Sequence, residues 1–251
     1  MSAKQETFGK TVGIVVAVCL VCSIVVSGAA VGLRSLQETN AALDKQSNIL
    51  HAAGLLEEAK GDIAGTYEAL VERRFVDLES GEYVEMPEDY DMYKAAKVTE
   101  KSSKVEDSNV GFQRRADVAS VYLVKDESGT VTRIVLPVHG SGLWNLMYGF
   151  LAIDNDGNTI RELIYYDQKE TPGLGGEVQN PDWQAKWDGK KIFKDGDVAI
   201  AVEKNASPDN DYSVDALSGA TLTSNGVQNT LDYWLGENGF GPYLKKQPWK
   251  S

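Results

Sequence analysis

From Thr11 to Leu33 the chain carries no charged residue, and this run constrains the fold more than any other feature. Coiled as an α-helix it would be about 35 Å long, enough to cross the hydrocarbon core of a bilayer with some tilt. A secretory signal has a shorter apolar region and ends at a small-x-small cleavage site; neither fits, so the run reads as an uncleaved anchor. Lys4 and Lys10 precede it, and only Arg34 follows closely before a strongly acidic remainder. The positive-inside rule then puts the N-terminus in the cytoplasm and the bulk of the chain on the other side, which in a bacterium is the periplasm. The expected division is a cytoplasmic N-terminus at 1–10, a single span at 11–33, a helical and irregular membrane-proximal part at 34–110, and a folded domain at 111–251.

The span has two further features. Gly9 and Gly13, and again Gly28 and Gly32, stand at the spacing that lets membrane helices approach closely, so the anchor is expected to pack against other membrane subunits as well as lipid. Both cysteines of the chain, Cys19 and Cys22, lie inside it. The large domain therefore contains no disulfide. Two cysteines alone cannot complete a structural zinc site, and no metal site is expected.

Lys4, Glu6 and Lys10 are the only charges before Arg34 and sum to +1, so the remainder carries −13 of a chain total of −12. A surface this acidic argues against nucleic acid, which needs a basic face, and against docking on anionic lipid.

Beyond the span, Ser35-Leu36-Gln37-Glu38 has the form of a capping box, and Leu36, Leu43, Ile49, Leu50 and Ala53 recur at helical spacing. The pattern predicts a separate helix over about Leu36–Ala53 and a shorter one over about Asp62–Arg73. Residues 78–108 are polar and show no periodicity. Strand signals follow at Ala119–Val124, Val131–Val138, Leu146–Ile153 and Thr159–Tyr166, with turns at Lys125–Gly129 and Asp154–Asn158. The second turn is acidic, but it lacks the spacing of a calcium loop. A further strand is expected at Val198–Val202 and an amphipathic helix at Ser224–Leu235. Hairpins flanked by helices predict an α+β fold with a mostly antiparallel sheet behind the N-terminal transmembrane helix.

Two segments carry chemistry. Asp215-Ala216-Leu217-Ser218-Gly219-Ala220-Thr221 lies between the last strand and the last long helix. It is short, made of small residues and ends on a hydroxyl. A bulky ligand can approach such a backbone closely, and the helix that follows offers free N–H groups and a positive dipole end to a phosphate. Lys169-Glu170-Thr171-Pro172-Gly173-Leu174-Gly175-Gly176 follows the Thr159–Tyr166 strand. Pro172-Gly173 is a turn signal, and Gly175 and Gly176 permit backbone geometries that other residues resist. Neither a dinucleotide fingerprint nor a P-loop is present.

Together the two segments resemble the FMN-binding domain family, in which a flavin transferase couples FMN to a threonine through a phosphoester. The resemblance extends over the anchor, Asp44–Leu50, Glu170–Gly175 and Asp215–Val227, nearly the whole chain. One departure is Gln168, where many members have histidine. The resemblance implies a covalent FMN on Thr221, with Asp215, Ser218, Gly219, Ala220 and Thr221 as the motif read by the transferase. It further implies that Ser218 and the backbone at Leu222 and Thr223 hold phosphate oxygens, that Glu170, Thr171, Gly173, Leu174 and Gly175 line the ring or ribityl region, and that Trp144 and Tyr148, on a strand edge, pack on the isoalloxazine. The layout is similar to members that carry electrons in an inner-membrane complex passing them from NADH to ubiquinone, coupled to sodium export. Its partners would be the other membrane subunits, the transferase and the bilayer. The rival readings are a shorter FMN carrier of a related electron-transport complex, a cofactor-free periplasmic scaffold, and a tethered flavin enzyme acting on a small substrate. The last needs an acid/base group beside the flavin, and no His, Cys or Lys cluster supplies one.

Overall fold

The computed structural model describes residues 8–106 and 108–250. The N-terminal segment with Lys4 and Glu6 lies outside them. The chain divides into two units, one ending at Lys45 and the other running from Gln46.

The first unit belongs to a single helix, α1 (Phe8–Ala52), of 45 residues with a mean hydropathy of 2.8 over its most apolar stretch. It is long and apolar enough to span a membrane. Cys19 and Cys22 are exposed on it. The break expected at Ser35 is absent. Glu38, which would have closed a capping box, instead receives the Arg34 guanidinium at 3.1 Å, an i,i+4 pair along a continuous helix. With no glycine or proline at the junction, nothing interrupts the ladder. Helix α1 ends just before Gly54, whose φ of +70° lies in the left-handed region that terminates helices.

The second unit is built on a five-stranded antiparallel meander: β1 (Val71–Asp77), β2 (Val118–Lys125), β3 (Val131–Ser141), β4 (Leu146–Asp154) and β5 (Ile160–Asp167), lying side by side in chain order. Strand β1 corrects the sequence reading. Helix α2 (Ile63–Leu70) is shorter than expected, and Val71 turns the chain into the sheet edge. The run Val71-Glu72-Arg73-Arg74-Phe75 looks helical by charge but pairs with Tyr122 and its neighbours, a tertiary contact that outweighs local preference.

Side chains alternate across the sheet as the strand period requires. Val121, Leu123, Ile134, Leu136, Val138, Leu151, Ile153 and Leu163 enter one core with Trp183, Trp187, Val227, Leu231 and Trp234. Tyr122, Val124, Val135, Phe150, Ala152 and Ile164 enter a second, closed by Ile49, Leu50, Ala52 and Ala53 from the end of α1. The expected turn at Asp154–Asn158 joins β4 to β5. The Asp156 carboxylate accepts the N–H groups of Asn158 and Thr159, each at 2.8 Å.

The strand expected at Val198–Val202 does not join this sheet. Its second half forms β6 (Ala201–Glu203), paired in parallel with β7 (Ser213–Asp215). From β7 the chain passes through a turn into helix α3 (Thr221–Leu235), which lies on β3. Contact is close. A Cβ at Gly226 would overlap the Ser141 carbonyl oxygen, and one at Gly140 would overlap the Thr230 hydroxyl. Gln228 holds the same helix to the β6 region, accepting from Val202 N at 2.6 Å and donating to the Ile200 carbonyl at 3.2 Å. The first turn of α3 is thereby set beside the β3–β4 turn and the loop after β5.

Candidate functional site

Helix α3 begins three residues earlier than the sequence pattern predicts, so Thr221 is its first residue rather than a loop residue ahead of it. The cap residue, Ala220, has no side-chain acceptor to offer the first N–H groups. Ahead of it, Leu217–Ala220 forms a tight turn closed by Ala220 N donating to Leu217 O at 3.2 Å. Gly219 sits in that turn at φ +72°, a conformation glycine adopts without strain.

The four hydroxyls of this stretch separate into two kinds. Ser224 is buried; its Oγ accepts from Leu217 N at 3.0 Å and donates to Ala220 O at 3.0 Å, fixing the turn to the helix. Thr223 is buried, and its Oγ1 donates to Glu170 Oε2 at 2.5 Å. It does not start the helix as the sequence suggests, and its hydroxyl is committed. Ser218 and Thr221 are exposed. Thr221 therefore presents a hydroxyl at an uncapped helix start, the geometry expected of an acceptor whose product carries a phosphate.

Glu170 ties the neighbouring loops together. Its Oε1 accepts from the backbone N of Trp144 at 3.0 Å, and its own N–H donates to Gln168 Oε1 at 2.5 Å. Thr171 accepts the Trp144 indole N–H at 3.3 Å and, through its carbonyl, closes the Pro172-Gly173 turn by bonds from Leu174 N at 3.1 Å and Gly176 N at 3.0 Å. Gly173 has φ +76° there, as the second central residue of such a turn requires. Gly175 is buried against Thr223 and Glu170 with no room for a side chain. Leu174 reaches across to the turn ahead of α3; a Cβ on Gly219 would lie 3.3 Å from its Cδ2.

Outside α1, the exposed large hydrophobic residues among those described are Val98, Leu143, Trp144, Leu174 and Leu222. Four of the five belong to the segments joined at Glu170. Trp144 is 68 % exposed and Leu222 60 %, which is unusual for such side chains unless something covers them. Leu143 went unmarked in the sequence, because nothing in a Ser-Gly-Leu-Trp turn foretells exposure. An uncapped helix start, small-residue turns and an apolar rim are a donor set that suits a phosphate at one end and a flat aromatic ring at the other.

Two expected residues are placed differently. Trp144 stands in the β3–β4 turn, not on a strand edge, because the chain leaves β3 at Ser141 and re-enters at Leu146. Tyr148, on β4, belongs to another aromatic group: its ring stacks on His139 at 5.5 Å and meets Tyr93 edge-on at 5.2 Å, and burial raises its hydroxyl pKa. The structure does not bring it to the Glu170 cluster. Asp215 is half-exposed at the end of β7. Its Oδ1 accepts from Asn205 N at 2.9 Å, its carbonyl accepts the Trp183 indole N–H at 2.9 Å, and Lys186 lies 3.7 Å from Oδ2.

This arrangement defines a flavin-carrying domain: the family model described as FMN-binding domain matches residues 142–236, from the β3–β4 turn to the end of α3. Full-length comparison carries further. The NqrC-type subunit of the Na(+)-translocating NADH-quinone reductase of Yersinia pestis is 48% identical over 249 residues, covering 96% of this chain and 94% of the relative. Relatives of the same name from Neisseria meningitidis serogroup A and Vibrio parahaemolyticus are each 49% identical, covering 96% and 98% of this chain and 95% and 97% of their own length. Among solved structures, Shewanella oneidensis NqrC superposes with a TM-score of 0.76 at 32% identity, covering 80% of this chain and 95% of that one. The chain belongs to the NqrC family of Na(+)-translocating NADH-quinone reductase subunits.

Proposed function

We propose that this chain carries its FMN as a phosphoester on Thr221. Family membership makes it the FMN-carrying electron-transfer subunit of a Na(+)-translocating NADH-quinone reductase complex. The observation that supports Thr221 is the sorting of hydroxyls. Ser224 and Thr223 are buried and bonded, whereas Thr221 is exposed at the uncapped start of α3. Ser218, the other exposed hydroxyl, lies on the far side of Gly219 from the helix start.

Bound in this way, FMN supplies one- and two-electron transfer, which no side chain of the domain can perform. The protein's part is to bind, orient and tune. The N–H groups of the first α3 turn would face the phosphate; Leu143, Trp144, Leu174 and Leu222 would cover the ring and exclude water from it. Gly173 and Gly175 let the loop after β5 close without side chains in the way, and Thr171 steadies the Trp144 indole. A covalent link suits a carrier facing the periplasm, where a lost flavin could not be replaced.

The reading includes a partner and a topology. Attachment is the work of a separate flavin transferase and its metal, acting on Asp215–Thr221. The fixed shape of Asp215, held by Asn205 and Trp183, makes that segment a rigid feature for an enzyme to read. Helix α1 is the single anchor in the inner membrane, with residues 34–251 on the periplasmic side.

Peptide mass spectrometry tests the attachment. After co-expression with a matched transferase, the peptide containing Thr221 should carry the flavin phosphate mass, and Thr221→Ala should abolish it. An unmodified Thr221 peptide, or flavin retained in Thr221→Ala, rejects the assignment.

A further inference from the structure

Glu170 is an acidic side chain enclosed on all sides. It is only 6 % exposed, and among the described residues no cation stands within ion-pair distance of it. Its two oxygens both accept, from Trp144 N at 3.0 Å and from Thr223 Oγ1 at 2.5 Å, the pattern of a carboxylate that offers no proton of its own. The backbone is shaped around it. A Cβ at Gly142 would fall 2.6 Å from Oε1, and one at Gly175 would fall 2.6 Å from Oε2. Three segments distant in sequence, 142–144, 170–175 and the first turn of α3, meet at this one group.

A buried carboxylate without a counter-ion is costly, so its retention calls for a compensating interaction. The compensation visible here is the start of α3. Thr223 is the third residue of a 15-residue helix, and the positive end of the helix dipole lies where Oε2 is held. The same helix end is the one proposed to face the phosphate, and the rim residues Trp144, Leu174 and Leu222 belong to the very segments that Glu170 joins. A fixed negative charge therefore lies directly behind the surface proposed to cover the flavin ring. Adding electrons to a ring puts negative charge on it, and a fixed negative charge in a weakly polar site opposes that.

We propose that Glu170 is a positioning residue that joins the three loops of the flavin site and, through its charge, holds the reduction potential of the flavin lower than the rest of the site would set it. This rests on FMN being carried at Thr221. It assigns Glu170 no contact with the flavin; the group acts through the Trp144 backbone and the Thr223 hydroxyl.

The test uses the full-length chain, co-expressed with a flavin transferase and purified in detergent, with the midpoint potential read by spectroelectrochemical titration alongside the visible spectrum. Glu170→Gln keeps the shape and removes the charge, so the potential should move to a more positive value. Thr223→Val keeps the charge and removes the hydroxyl that partly neutralises it, so the potential should move the other way. Thr223→Ser should restore the wild-type value. Opposite signs separate a charge effect from simple loosening, which would move both variants alike. A Glu170→Gln potential equal to wild type, or shifts of the same sign in both variants, overturns the proposal. If Glu170→Gln does not fold, the contrast of Thr223→Val with Thr223→Ser decides it: identical potentials overturn the proposal. Peptide mass on the same wild-type sample reads the Thr221 assignment separately.

Discussion

Ser224 offers the sharpest test of how the attachment segment is held. Replacing it by alanine removes one oxygen and changes the volume little. Two hydrogen bonds are lost, from Leu217 N and to Ala220 O, both of 3.0 Å. The second loss is small, since Ala220 O still accepts the helical bond from Ser224 N at 3.0 Å. The first is not, because Leu217 is 6 % exposed and its N–H is left without an acceptor, at a cost of about 1–3 kcal/mol. Better helix propensity of alanine returns a few tenths of a kcal/mol. The net loss is about 1–2.5 kcal/mol, which for a folded unit of this size lowers the melting temperature by about 2–10 °C. Thr221→Ala is the control: it removes an exposed hydroxyl at the helix start and should change stability by less than about 0.5 kcal/mol. Thermal and urea unfolding of both variants in the unflavinylated full-length chain should therefore rank Ser224→Ala well below wild type and Thr221→Ala beside it. Flavinylation should show the opposite order, slowed in Ser224→Ala and absent in Thr221→Ala. A Ser224→Ala protein as stable as wild type, or a Thr221→Ala protein equally weakened, would refute the division of these hydroxyls into structural and reactive.

Acid stability and topology supply two further expectations. Burial pushes the His139 imidazole down from its ordinary 6.5 to about 3, so the unfolded chain takes up a proton that the folded chain refuses. Its contribution is complete above pH 6.5 and is lost as pH falls toward 3, at no more than about 1.4 kcal/mol per pH unit. His139→Gln should flatten the stability profile across that window, and parallel profiles for the two proteins would contradict the assignment. For the anchor, a reporter fused after Ser251 should be active only outside the cytoplasm; activity confined to the cytoplasm would reverse the proposed orientation.

The sequence alone determined the elements whose signals are local. An uncharged run long enough for a bilayer forces a helix wherever lipid surrounds it, since no other short structure satisfies its own backbone there. The hairpin turns and alternating strands at Val118–Asp167 were legible because turn chemistry and the two-residue period are written in adjacent positions. The Asp215–Thr221 and Glu170–Gly175 segments stood out for the same reason. What depended on partners far along the chain was not legible. The edge strand at Val71–Asp77 exists because β2 pairs with it. The continuity of α1 through Ser35 depends on Arg34 and Glu38 choosing each other over a cap. The exposure of Leu143, the withdrawal of Tyr148 to His139, and the burial of Glu170 behind Trp144 and Thr223 arise only when α3 lies on β3 at Gly140 and Gly226. A residue's type states which bonds it can make. Which of them it makes is set by the groups that packing brings within about 3 Å of it, and those come from segments that the linear order keeps far apart.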